Sequence, residues 1–214
     1  MRASTIKEAV EMMGRVHGAD LFELRGDYLR SYDGVDDLSP YANRLIVTVR
    51  RRSEGGAFRG AEEERLKLLR RLMQVGPRYV DVEAASPIAS AVVEEARSLG
   101  VGIIASSHDL KRTPRLKGLV RAWRRCVELD PDVVKVVTMA LTPSDNLTAL
   151  NLLLKVDRPT ISFCMGPLGK ISRLLSPFFG APFTYASLEG GLETAPGQLS
   201  LREVKEAWKV LGLA

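Results

Sequence analysis

Short β-rich apolar runs alternate with longer stretches of helical period along almost the whole chain. The runs fall at residues 21–27, 45–50, 79–83, 101–108, 133–139, 160–165 and 183–188. Between them, segments 61–75, 88–99, 115–129 and 144–155 repeat their apolar positions at the spacing of one helix face. Gly76-Pro77 and Gly100 stop two of these helices where the next strand is due. Thr5 with Glu8, and Ser200 with Glu203, have capping-box spacing at the starts of the first and last helices. Regular strand-then-helix alternation predicts a parallel sheet covered by helices. No low-complexity stretch or linker breaks the series, so residues 1–214 read as a single domain.

Two architectures share that pattern. An open, doubly wound nucleotide-binding sheet calls for a Gly-rich fingerprint after its first strand, and the segment RGDYLRSYDG does not supply GxGxxG. A closed (β/α)8 barrel instead predicts functional polar residues at the C-terminal ends of many strands. The sequence has them. Glu23, Arg25 and Asp27 recur at every second residue, as do Thr48 and Arg50, and then Asp81 and Glu83, so each set would share a strand face. His108 ends the next strand, and Lys135 stands in the middle of VVKVV. Buried parallel strands are usually near-continuous apolar runs, and buried charges need partners. For Asp81 and Glu83 a structural ion-pair network stands beside a binding role.

Lys135 also has two readings. At a strand end it can snorkel to water; deeper among the valines, burial favours the neutral amine that attacks carbonyls. His108, on the preceding strand, is placed to carry protons for such chemistry. His17, beside Gly18 at a helix end, reads as a solvated or capping residue. In FCMGPLGKISR, Gly166 and Gly169 shape a tight loop and Arg173 follows where it can clamp an anion. The loop lacks the spacing and the hydroxyl residue of a P-loop. Gln198 lies after a Pro-Gly turn, just ahead of the last helix.

The apolar share of 45% is ample for a core, and no run reaches the length of a membrane span. The N-terminal segment reads as an amphipathic helix and not as a secretory signal, so a cytoplasmic protein is expected. Cys126 and Cys164 have neither metal-ligand nor disulfide-framework spacing, and no metal site is expected. The net charge of +5 raises nucleic-acid binding as an alternative. Basic residues interleaved with acids, as in AEEERLKLLRR, favour a surface that attracts small anions instead.

Taken together the segments resemble the type I 3-dehydroquinate dehydratases of the shikimate pathway. The likeness runs from residue 19 to 201 through ADLFELRGDYL, TVRRRSEGG, YVDVE, SSHDLKRTP, VVKVVTMA, MGPLGKISR and APGQ, in order. It implies a cytoplasmic, cofactor-free hydro-lyase acting on 3-dehydroquinate, a single barrel domain and a homodimer, with no nucleic-acid or membrane partner. By resemblance Lys135 forms an imine with the substrate ketone and His108 is the general acid and base. Glu23, Arg25 and Arg50 match residues that bind hydroxyls and neighbouring groups, and Arg173 matches the carboxylate clamp. Thr194 and Gln198 match the closing loop, Met165 and Tyr185 the walls, and Glu54 the site rim. Phe163 stands where many members have Met, and Thr194 where a serine is common. The loop before APGQ is one residue longer. Members usually begin with a strand before the first helix, whereas here Met1 leads almost directly into that helix, leaving a barrel without its usual first strand. A Schiff-base aldolase of the same barrel class is the alternative within enzymes, distinguished by its need to bind phosphate.

Overall fold

The structure, a computed structural model, describes residues 1–188 and 197–212. The chain forms two compact units, residues 1–106 with 126–132, and residues 107–125 with 133–214.

In the first unit, β1 (Phe22–Arg25), β2 (Leu45–Thr48), β3 (Tyr79–Glu83) and the beginning of β4 (Gly102–Asp109) pair in parallel, in chain order. The register sets Thr48 beside Asp81 and Glu83 beside Ser106, so the polar strand ends lie next to one another. Helices α1 (Ile6–Arg15), α2 (Glu62–Met73) and α3 (Ala89–Ser98) accompany them. α2 buries Arg65, Leu69, Leu72 and Met73, one face at i, i+4, i+7 and i+8. It begins with three glutamates in its first turn and ends on arginines, in the sense the helix dipole favours. No strand precedes α1 among the described residues. The backbone of Met1 alone runs beside β1, its amino group donating to the Glu23 carbonyl and its carbonyl accepting from the Arg25 N–H.

The second unit contains β5 (Val133–Met139) and β6 (Thr160–Met165), paired in parallel with Lys135 opposite Ile161 and Thr138 opposite Cys164. α5 (Asp145–Leu153), α6 (Lys170–Leu175), α7 (Leu201–Val210) and most of α4 (Leu116–Val127) belong to it. Trp123 on α4 ties down the start of β6 by donating to Thr160 Oγ1 at 2.9 Å.

The run at 183–188 is not a ladder strand, which corrects the sequence expectation. Only Ser187 makes a bridge, to Ser200. The segment's polar groups go elsewhere: the Tyr185 carbonyl accepts from Arg173 Nη1 at 3.4 Å, and Thr184 Oγ1 donates to the Arg173 carbonyl at 2.7 Å. A side chain and a neighbouring helix have replaced the neighbouring strand as hydrogen-bond partners.

Both capping signals act. Thr5 accepts from the Glu8 N–H, although Glu8 reaches back to Ser4, while Ser200 and Glu203 form the complete reciprocal box at the start of α7. Replacing Ser200 by Ala is expected to cost about 1 kcal/mol. The readout is the urea midpoint at unchanged slope; an unmoved midpoint would show that α7 does not depend on its cap.

Candidate active site

In the second unit the side chains converge on β5 and β6. Lys135 is 5% exposed, so its stem does not snorkel to solvent. Its Nζ lies 4.1 Å from the centroid of the Tyr185 ring, where the negative π face attracts a cation. Arg173, on α6 and 1% exposed, stacks its guanidinium 4.2 Å over the Phe163 ring. Phe163 and Tyr185 are themselves ring neighbours at 6.1 Å. One amine and one guanidinium are thus oriented by two aromatic faces, and the Tyr185 carbonyl joins the two halves through Arg173 Nη1.

Gln198 is 7% exposed, just ahead of α7. The residue before it must be glycine: Gly197 has φ +72°, and a Cβ there would lie 2.2 Å from the Gly166 carbonyl oxygen. Backbone therefore rests directly on the GPLG loop after β6. His108 sits near the end of β4, half-buried. The loop that follows it is pinned by Thr113 Oγ1, which lies 2.8 Å from both Thr138 Oγ1 and the Met139 carbonyl. Met165 closes β6, buried, and Thr194 lies outside the described residues.

In the first unit the expected binding residues are held by counter-charges. Arg25 makes a two-pronged contact with Asp27, Nε to Oδ1 at 2.9 Å and Nη2 to Oδ2 at 2.7 Å. Asp27 lies beyond the end of β1, in a short 3-10 turn, so the sequence alternation does not place it; the turn folds it back onto Arg25. Glu23 Oε1 accepts from Thr48 at 3.1 Å. Arg50, 4% exposed, reaches Asp81 Oδ1 at 2.7 Å, Glu83 Oε1 at 3.1 Å and Ser106 Oγ at 2.7 Å. Burial disfavours its charge, but Asp81 and Glu83 outweigh that, and its pKa is raised above the usual arginine value. Gly56 of the SEGG turn lies so close that a Cβ would stand 1.8 Å from the Arg50 carbonyl oxygen, which fixes the backbone of that residue. Glu54 is half-buried at the same turn.

Sequence reasoning missed Arg65, Ser86 and Ser106. Arg65 donates to Glu83 Oε2 at 2.6 Å and to Ser86 Oγ at 2.6 Å, while Ser106 donates to Asp81 at 2.7 Å. A signal for Arg65 was present: a lone cation at an apolar-face position of an amphipathic helix.

A sequence model of the type I 3-dehydroquinase family matches residues 1–214. The 3-dehydroquinate dehydratase of Thermococcus gammatolerans is 47% identical over 204 residues, covering 95% of this chain and 93% of that protein. The solved type I 3-dehydroquinate dehydratase of Clostridium difficile, determined with covalently modified comenic acid, has a TM-score of 0.84. It is 26% identical, with 98% of this chain and 89% of that chain covered. The Geobacillus kaustophilus 3-dehydroquinate dehydratase has a TM-score of 0.82 at 27% identity, covering 96% and 85%. The fold and these likenesses define an α/β enzyme of the (β/α)-barrel class, with six parallel strands among the described residues. The chain belongs to the type I 3-dehydroquinase family, and is a hydro-lyase of the shikimate pathway.

The ion network carries a pH signature. Burial pushes the Glu62 carboxyl up, but its bonds to Arg65 and Ser86 and the nearby arginine charges outweigh this and hold it below its ordinary 4.5. A depressed folded value means stability that is present above 4.5 and lost as pH falls through the lowered value. Wild type is expected to exceed Glu62→Gln in stability at neutral pH, with the gap closing in acid denaturation; a gap independent of pH would contradict this.

Proposed function

We propose that the chain dehydrates 3-dehydroquinate to 3-dehydroshikimate through an imine on Lys135, with His108 as general acid and base. One observation carries the reading: a lysine only 5% exposed, in a valine strand, with its amine against the face of Tyr185. Such an amine is sheltered from water and available to a carbonyl. It adds to the substrate ketone, and loss of water gives the protonated imine, an electron sink. His108 takes a proton from the neighbouring carbon, the electrons pass into the imine as an enamine, and their return expels the hydroxyl as His108 gives the proton back. Hydrolysis of the imine releases product and restores the amine. The sink is the imine itself, so the mechanism calls on no metal or organic cofactor.

Arg173 is assigned to the substrate carboxylate, where a buried fork matches that anion. Glu23, Arg25 and Arg50 are assigned to its hydroxyls, and Thr194 and Gln198 to the closing loop. The family match over residues 1–214 supports a single catalytic domain. We further propose a cytoplasmic homodimer that binds the small substrate, with neither membrane nor nucleic acid as partner. Among the described residues no helix is long and apolar enough to cross a membrane.

Borohydride reduction in the presence of 3-dehydroquinate is expected to leave an adduct on Lys135, located by peptide mass spectrometry. Lys135→Ala should give no adduct and almost no turnover; normal turnover would sink the imine. His108→Ala should still accumulate adduct but lose about 10²–10⁴-fold in kcat, and an unchanged kcat would remove histidine from the mechanism. Arg173→Ala is expected to weaken apparent substrate binding by about 2–5 kcal/mol; an unmoved KM would count against the clamp.

A further inference from the structure

We infer that Arg65 is a positioning residue of the active site, acting through Glu83 to fix how Arg50 presents its remaining N–H groups to the substrate's hydroxylated face. The inference rests on Arg50 being a substrate ligand, as proposed above. Arg65 comes from α2, outside every motif that carries the family likeness, and is 0% exposed. Nη1 donates to the Val49 carbonyl at 2.9 Å and to Glu83 Oε2 at 2.6 Å. Nη2 donates to Glu62 Oε2 at 2.8 Å and Ser86 Oγ at 2.6 Å, and Nε donates to Glu62 Oε2 at 3.1 Å. Those bonds use the full donor set of a guanidinium, so Arg65 has one orientation.

Stability alone does not call for this arrangement. Replacing the whole buried set of Arg50, Arg65, Asp81 and Glu83 by apolar side chains of similar volume would serve packing as well, because buried ion pairs barely recover their desolvation cost. What Arg65 adds is direction. With Oε2 of Glu83 held by Arg65, Oε1 is turned toward Arg50 Nη1 and the Arg51 backbone N–H, both at 3.1 Å. Asp81 takes Arg50 Nη2 and Ser106 takes the second Nη1 donor. Both terminal nitrogens of Arg50 are thereby held, Nη1 by Ser106 and Glu83 and Nη2 by Asp81, and a guanidinium's five N–H groups outnumber these three contacts.

The charges are also matched. Arg50 and Arg65 face Asp81 and Glu83, so Arg50 brings hydrogen-bond donors but little uncompensated charge to the substrate. Such donors suit hydroxyls. Without the Arg65 fork, Glu83 would turn wholly onto Arg50 and draw it from this pose.

The test is a double-mutant cycle in the full-length enzyme, using Arg65→Lys and Arg50→Lys. Arg65→Lys keeps the charge but loses the fork. We expect its KM for 3-dehydroquinate to rise about tenfold, within the usual range for residues in one network. Borohydride trapping at saturating substrate should stay within about twofold of wild type, since an interaction equally strong in the bound substrate and the transition state sets KM alone. In an Arg50→Lys background, itself raised in KM, the second substitution should add nothing. Arg65→Met, which fills the space without a charge, is the companion variant and should also raise KM. A lowered denaturation midpoint with unchanged KM in both Arg65 variants would make Arg65 merely structural. An equal KM rise in both backgrounds would show that it does not act through Arg50. An Arg50→Lys enzyme of normal KM would instead overturn the substrate-ligand reading of Arg50, and the inference with it.

Discussion

Two arginines share the carboxylate of Glu83, and the polar end of the first four strands depends on that sharing. β3 turns Asp81 and Glu83 inward, where neither charge could stay without a cation at hydrogen-bond distance. Arg50 and Arg65 supply the cations from opposite sides, one from the chain just beyond β2 and one from α2. Geometry spreads outward from there. The Glu83 carboxylate also receives the Arg51 N–H, the turn beyond it brings Gly56 onto the Arg50 backbone, and Ala57 donates to Asp27, which holds Arg25. A continuous series of interactions thus leads from a helix face to the end of β1.

The second unit solves its problem differently. Its cations, Lys135 and Arg173, lie on aromatic faces. A π face steadies a cation through the negative potential of the ring. The first unit's arginines, by contrast, lie against carboxylates.

Much of this was legible in the sequence. Strands 79–83, 133–139 and 160–165 have the bounds that the runs predict, because each is an apolar stretch closed off by polar or turn-forming residues. The helices shrink only by frayed ends. The run at 183–188 misled because β-propensity reports side chains suited to a pleated surface, whereas Tyr185 spends its carbonyl on Arg173. The long 3-10 segment Val35–Arg44 left no periodic trace, with Pro40 inside it. Lys135, His108, Arg25, Arg50 and Arg173 could be picked out as charges in the wrong company. Arg65 is harder to see, because AEEERLKLLRR reads as an ordinary charged helix until its face is drawn and Arg65 falls in line with Leu69, Leu72 and Met73. Of the two readings of Asp81 and Glu83, the structure shows the ion-pair network, with Arg50 and Arg65 as its cations.

Burial of that network also decides how the enzyme responds to its ionic surroundings. Dissolved salt screens charges that water can reach and leaves enclosed pairs almost untouched. Arg50, Arg65, Asp81 and Glu83 are enclosed, so mobile ions have little hold on this network. Their leverage falls on the approach of a charged ligand from bulk solvent. The salt content of the medium can therefore drift widely while the enclosed charges keep their geometry, and only the pace of encounter with a charged ligand follows it.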